Sequence, residues 1–198
     1  AVVPWNFPLA IALWKVAPAL ATGCTVVLKP SPETPLTALR LAELALEAGL
    51  PAGVFNVVTG YGHEAGEALA LHMDVDAIGF TGSTRIGRRM LACASESNLK
   101  RVYNELGGKS AFVVFNDAKD VAAAARAAAG SVFYNQGESC NAPTRLLVQQ
   151  DVVPEFMAAL QDEAGQALDQ ALLQHGAPAR PVKEQPILWM KNPRLQKS

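Results

Sequence analysis

The sequence predicts an α/β fold: a parallel sheet with helices on both faces. Two observations predict it. Short apolar runs alternate with longer helical stretches along most of the 198 residues, as strand–helix–strand units require. Glycine or proline punctuates the junctions, where such residues end or redirect a chain.

The elements follow in order. Cys24 to Lys29 (CTVVLK) reads as a buried strand, and Pro30, Pro32 and Pro35 break the chain after it. A helix is expected from Pro35 to Ala48, with Thr34 as N-cap, Pro35 at the first helical position and Gly49 ending it. Thr37, Arg40, Glu43 and Glu47 form its one polar stripe. Its other faces are Leu and Ala, so it is expected to pack against something large. The unit then repeats: strand Val54 to Val58, short helix Glu64 to His72, strand Asp76 to Thr81, helix Thr84 to Ser97. Two further strands, Lys100 to Glu105 and Ala111 to Phe115, flank Gly107-Gly108. The Ala-rich stretch Val121 to Phe133 is a helix, Thr144 to Gln149 a strand, and Val152 to about Leu173 a helix. From Gly176 onward the periodic apolar positions thin out, and the tail reads as irregular.

Composition narrows the function classes. Half the residues are hydrophobic, 18% are charged and the formal net charge is -1. That balance suits a soluble domain and offers neither nucleic acid nor a membrane surface a partner. The apolar stretch from Pro8 to Ala21 contains Lys15 and two prolines, so it reads as neither a secretory signal nor a membrane span. Cys24, Cys93 and Cys140 are odd in number and widely spaced, which points to reduced thiols in the cytoplasm rather than a disulfide framework. His63, His72 and His175 are equally scattered, and no metal site is expected. The opening Ala-Val-Val reads as the inside of a strand, so the chain is expected to be a fragment.

Three places hold residues suited to chemistry. Gly82-Ser83-Thr84-Arg85-Ile86-Gly87 follows a strand and opens a helix. Glycines there let a ligand approach the backbone, and free N–H groups favour an anion such as pyrophosphate; Gly and Ser also serve such turns for geometry alone. Cys140 follows a Gly-containing loop, where a thiol is either a nucleophile or simply buried; no histidine lies nearby to activate it. Glu105 ends a strand beside Gly107 and Gly108, as either a base or a solvated, capping carboxylate.

Five motifs occur together and in order: Pro4-Trp5-Asn6-Phe7-Pro8, Leu28-Lys29-Pro30-Ser31, Phe80-Thr81-Gly82-Ser83-Thr84, Glu105-Leu106-Gly107-Gly108-Lys109, and Asn135-Gln136-Gly137 through Cys140. Over about Ala1 to Ala164 the sequence resembles the aldehyde dehydrogenase superfamily. The segment from Val58 to Arg101 and the wording FYNQGESC…TRLLV resemble the bacterial branch acting on γ-glutamyl-γ-aminobutyraldehyde and other ω-aminoaldehydes. The resemblance implies a partial, Rossmann-like dinucleotide-binding domain over 1–105, the start of an α/β catalytic domain over 106–175, and an irregular tail over 176–198. It implies oxidation of an aldehyde to its acid with NAD or NADP. Cys140 would attack the aldehyde carbon, the amide of Asn6 and the N–H of Cys140 would hold the oxyanion, and Glu105 would activate the water that hydrolyses the thioester. Trp5, Lys29, Ser31, Gly82, Ser83, Gly87 and Leu106 would contact the cofactor. Lys15 matches a lysine of the active-site region. Tyr134 and Phe133 flank the catalytic loop, as walls of a substrate tunnel or as core. The partner implied is a small aldehyde, and full-length family members are homo-oligomers.

The sequence also departs from the family. NAD-preferring members often carry Glu three residues after the lysine; here that position is Pro32, and Glu33 comes one later. Without the acceptor, NADP joins NAD as a candidate. The family's later catalytic segment and subunit-joining strands have no counterpart, and the resemblance stops near Gly165. Three functions therefore compete: an NAD(P)-dependent aldehyde dehydrogenase, a truncated chain that keeps the motifs without turnover, and an acylating enzyme that passes the thioester to coenzyme A. Glu105 argues against the last, which needs no water-activating base. A parallel sheet without its neighbouring strands exposes edges and apolar faces, so the isolated chain is expected to be marginally stable or to aggregate.

Overall fold

The computed structural model describes residues 1–175, and the tail from Gly176 lies outside the described residues. Six strands and six α-helices alternate: α1 Pro8–Ala21, β1 Val26–Leu28, α2 Leu36–Glu47, β2 Phe55–Val57, α3 Glu67–Leu71, β3 Ala77–Gly82, α4 Thr84–Ser95, β4 Arg101–Leu106, β5 Ala111–Val114, α5 Val121–Phe133, β6 Arg145–Val148 and α6 Val153–His175. A five-residue π turn, Gly62–Gly66, leads into α3.

The strands pair in parallel as β1 with β2, β3 with β4, and β5 with β6. Val2 joins the first two pairs, because it bridges in parallel to both Lys29 and Phe80. Its N–H donates to the Gly79 carbonyl at 2.8 Å, and its carbonyl accepts from the Thr81 N–H at 3.0 Å. The spatial order is therefore β2, β1, the Val2 segment, β3, β4.

Consecutive residues of an extended segment face opposite sides of a sheet. Val3 packs into a core with Ile11, Ala12 and Val16 of α1, Ala38 of α2, and Val26, Leu28 and Phe55. Val2 packs into a second core with Ala70 of α3, Met90 and Cys93 of α4, and Ile78 and Phe80. Helices thus cover both faces, as the sequence predicts. The third core, around Val114, Val121, Ala125, Ala128 and Phe156, joins β5 and β6 to α5 and α6. Small residues on α5 let α6 come close, and the Asp120 carboxylate caps α5 by accepting from the Ala123 N–H at 2.7 Å. Lys100 is buried but satisfied, its ammonium donating to the Ala70 carbonyl at 2.6 Å and to Ser97 Oγ at 2.8 Å.

One helix has no counterpart in the sequence reading, and three local expectations need correction. Residues Pro8–Ala21 form a full helix with proline in its first turn and Pro18 inside it; the near-uniform apolar run had hidden its period. Cys24 is an exposed loop residue, and β1 begins two residues later. Thr34 does not cap α2: its hydroxyl is buried without a hydrogen-bond partner, and Pro35 takes the cap position with no side-chain bond. Only one face of α2 is packed, by Ala38, Leu41, Ala42 and Ala45. Leu36, Leu39, Leu44 and Leu46 stay exposed, while Arg40 pairs with Glu43 and Glu47 at 2.8 and 2.9 Å. Among the described residues no helix is long and apolar enough to cross a membrane.

Candidate active site

In open parallel sheets ligands meet the carboxyl ends of the strands. Most of the sequence-predicted residues lie along that edge. Trp5 and Asn6 follow the Val2 segment, Lys29 and Ser31 follow β1, Gly82 and Ser83 end β3 and enter α4, and Glu105 and Leu106 end β4.

The β3–α4 turn is built by close packing. A Cβ on Gly82 would stand 2.6 Å from Cζ of the buried Phe80 ring. One on Gly87, buried in the first turns of α4, would stand 2.6 Å from Cδ2 of Leu106. Glycine at 87 lets helix and strand approach, and the Asn104 amide crosses the gap to the Gly87 carbonyl at 3.2 Å. Ser83 is the N-cap of α4, its hydroxyl accepting from the Ile86 N–H at 3.4 Å. The first turn of any helix leaves N–H groups without intrahelical partners, here those of Thr84 and Arg85, for water or a ligand.

Lys29 and Ser31 are buried, and the Ser31 hydroxyl donates to the Glu33 carboxylate. Burial pushes the Lys29 ammonium below the ordinary lysine value, and Glu33 partly restores it. The Ser31 hydroxyl, then Glu33's own backbone N–H, and last the nearby Lys29 charge hold Glu33 below the usual carboxylate range. A carboxylate thus stands beside Lys29 although position 32 is proline.

The Cys140 loop takes an uncommon path. Asn135, Gln136 and Gly137 have φ of 49°, 61° and 77°, three left-handed residues in succession, of which only glycine is free of a steric penalty. The loop is tied to the Asn6 segment. Asn135 Nδ2 donates to the Asn6 carbonyl at 3.0 Å, and Asn6 Nδ2 donates to the Glu138 carbonyl at 2.7 Å. The Phe7 and Tyr134 rings stack with centroids 6.0 Å apart. A cavity of about 460 Å³ lies beside the loop, lined by Gly130, Ser131, Tyr134, Ser139, Asn141 and Pro143. Phe133 is exposed and does not line it.

Cys140 is half-buried. Burial pushes its thiol above the ordinary thiol value, and the Glu105 carboxylate adds to the rise as hydrogen-bond acceptor and as a negative charge; the N–H groups of Cys140 and Asn141 oppose it. Gly108 makes this approach possible, since a Cβ there would lie 3.1 Å from the Cys140 carbonyl oxygen. Lys15 reaches the same place from α1, its stem passing under Gly79 at 3.4 Å from where a Cβ would be. Burial lowers the Lys15 ammonium from its ordinary value, and Glu105 pulls it partway back. The Cys140 thiol and the Glu105 carboxylate, distant in sequence, therefore act on each other, and the Asn6 amide binds the same loop two residues before the thiol. No role for Asn135 or Gly108 is legible in the sequence. Asparagine before Gln-Gly, in a loop needing positive φ, was the one available signal.

Comparison with known proteins bears on the family and the fold. The model of the aldehyde dehydrogenase family matches residues 1–177, further than the Ala164 limit expected from the motifs. The chain is 58% identical over 164 residues to the NADP/NAD-dependent aldehyde dehydrogenase PuuC of Escherichia coli strain K12, covering 83% of this chain and 33% of that protein. It superposes on the γ-glutamyl-γ-aminobutyraldehyde dehydrogenase of Burkholderia cenocepacia J2315 with a TM-score of 0.81 at 57% identity, covering 83% of this chain and 33% of that one. An indole-3-acetaldehyde dehydrogenase complexed with NAD+ gives a TM-score of 0.82 at 56% identity, with the same two coverages. The chain thus spans about a third of the length of these relatives. Ordered motifs, a parallel sheet with its candidate residues at one edge, and these likenesses share one explanation: the chain belongs to the aldehyde dehydrogenase family.

Proposed function

We propose that this chain supplies the nucleophile, the base and much of the dinucleotide-binding edge for oxidation of an aldehyde to its carboxylic acid with NAD or NADP. The observation that carries the reading is that the end of β4 packs on the Cys140 backbone at Gly108 and brings the Glu105 carboxylate close enough to raise the thiol. An acceptor in that place takes the thiol proton as sulfur attacks the carbonyl carbon, forming a hemithioacetal. The Asn6 amide has two N–H groups and one is spent on Glu138, so the other is free for the developing oxyanion. Loss of hydride leaves a thioester on Cys140. Once Glu105 has passed the thiol proton to solvent, it accepts a proton from water, whose oxygen adds to the thioester carbon; the sulfur leaves as a thiolate and the acid is released.

The donor set fits a dinucleotide. The α4 N-terminus with Gly82 and Ser83 suits a pyrophosphate, the Lys29 and Glu33 pair suits ribose hydroxyls, and Trp5 and Leu106 stand on the same edge. When bound, the nicotinamide group supplies the hydride acceptor. Glu33 favours NAD, since a 2′-phosphate would meet its charge. Aminoaldehydes are a substrate class to test, since an aminoacetaldehyde and a γ-glutamyl-γ-aminobutyraldehyde dehydrogenase are among the relatives, beside an indole-3-acetaldehyde dehydrogenase.

A second reading keeps the motifs without turnover. It is favoured by apolar faces that nothing covers among the described residues, such as Val113, Phe115 and Leu147 on the open side of β5 and β6. The test is to incubate the purified chain with propanal and NAD or NADP and follow absorbance of the reduced cofactor. The proposed oxidation predicts a signal that Cys140→Ala abolishes. An undiminished signal from that variant rules the mechanism out, and silence from a folded wild-type chain supports the second reading.

A further inference from the structure

We propose that Asn135 is a positioning residue, its side-chain amide holding the Cys140 loop in register with the Asn6 segment. The clamp is reciprocal. Asn135 donates to the Asn6 carbonyl at 3.0 Å while Asn6 donates to the Glu138 carbonyl at 2.7 Å, so two amides tie the same two segments in opposite directions. The Phe7–Tyr134 stack extends the contact by one residue on each side. These ties act where the backbone resists: Asn135 and Gln136 both sit at positive φ without being glycine. Asparagine tolerates that region better than most residues and also carries an N–H donor, so one residue meets both needs. Glu138 is two residues from Cys140, so loss of the clamp frees the loop at the point where the thiol meets Glu105. The catalytic meaning of this clamp rests on Cys140 being the nucleophile, but the clamp itself is open to test without turnover.

The three cysteines make the test. Cys24 is exposed, Cys93 buried and Cys140 half-buried. The full chain is alkylated with iodoacetamide over a range of pH, and peptide mass spectrometry reads each site. Asn135→Gly keeps the backbone comfortable at φ 49° and removes only the donor. It is expected to raise the Cys140 rate relative to Cys24 by about three- to tenfold, the range one neutral hydrogen bond corresponds to. The pH midpoint of Cys140 should move down toward the ordinary thiol value, with Cys93 still protected. Gln136→Gly relieves the same strain beside it and should leave the wild-type profile. The clamp is refuted by an unchanged Cys140 profile in Asn135→Gly, by an equal change in Gln136→Gly, or by parallel opening of Cys93, which marks general loosening. If Asn135→Gly fails to fold, Asn135→Asp, which tolerates the same φ and has no N–H to donate, carries the comparison of limiting alkylation rates at high pH. Failure of aldehyde oxidation alone leaves these outcomes untouched.

Discussion

Gly87→Ala tests whether α4 rests directly on the end of β4. The added Cβ would stand 2.6 Å from Leu106 Cδ2 and 3.1 Å from Cδ1, against an optimum carbon–carbon separation of about 3.5–4.0 Å. Either Leu106 leaves its rotamer or the helix backs away from the strand. Such overpacking costs about 1–3 kcal/mol, and replacing glycine inside a helix returns about 1 kcal/mol. The net expectation is destabilisation by about 1 kcal/mol, or a fall of roughly 2–4 °C in Tm for a chain of this size. Thermal unfolding by circular dichroism reads the single variant. A double-mutant cycle with Leu106→Ala isolates the contact: removing the Leu106 methyls makes room for the new Cβ, so the double variant should lose less than the sum by about 1 kcal/mol. Additive effects, or a Tm raised by Gly87→Ala alone, would show that Leu106 does not limit the approach. The same variant bears on the site, because Leu106 adjoins Glu105.

Two other perturbations address the chemistry. A negative charge beside a thiol disfavours the thiolate, so Glu105→Gln should shift Cys140 alkylation to lower pH while slowing thioester hydrolysis; an unmoved alkylation profile would mean the carboxylate does not face the sulfur. Glu33→Gln removes the charge that a 2′-phosphate would meet, so titrations of tryptophan fluorescence should show binding of NADP gaining on NAD by about fivefold, and an unchanged ratio would place Glu33 away from the ribose.

The sequence was most legible where local preference and packing agree. Val121–Phe133 was bounded correctly because Asp120 caps it and its alanines have high helix propensity. The strands were legible to within a residue or two at each end, since pairing partners, invisible locally, decide where a ladder stops. Helix α1 escaped because thirteen of its fourteen residues are apolar, leaving no polar stripe to set a period. Thr34 misled because a threonine before proline has the composition of a cap, yet its hydroxyl faces inward. For the site, Cys140 and Glu105 carried no mutual signal, being 35 positions apart; only the ordered motifs joined them. Asn135 was hidden for the same reason, since its bond to Asn6 spans 129 positions.

The Val2 segment has a consequence for how the molecule assembles. It is the seam between two pairs of strands, and it is fastened by four main-chain bonds: Val2 to Gly79, Thr81 to Val2, Val3 to Lys29 and Lys29 to Ala1. The β1–β2 and β3–β4 pairs each close over one helical crossover, with partners such as Val26 and Phe55 or Ala77 and Arg101, whereas the seam to β3 joins residues almost eighty positions apart, the slower kind of closure. The two halves can therefore form first and be sewn together last. Trp5 and Asn6 ride on the end of that thread, so the Asn6 amide reaches its place only when the seam closes. Hydrogen exchange at Val2, Val3, Lys29 and Thr81 would then report one shared opening event, and that event would also unmake the site.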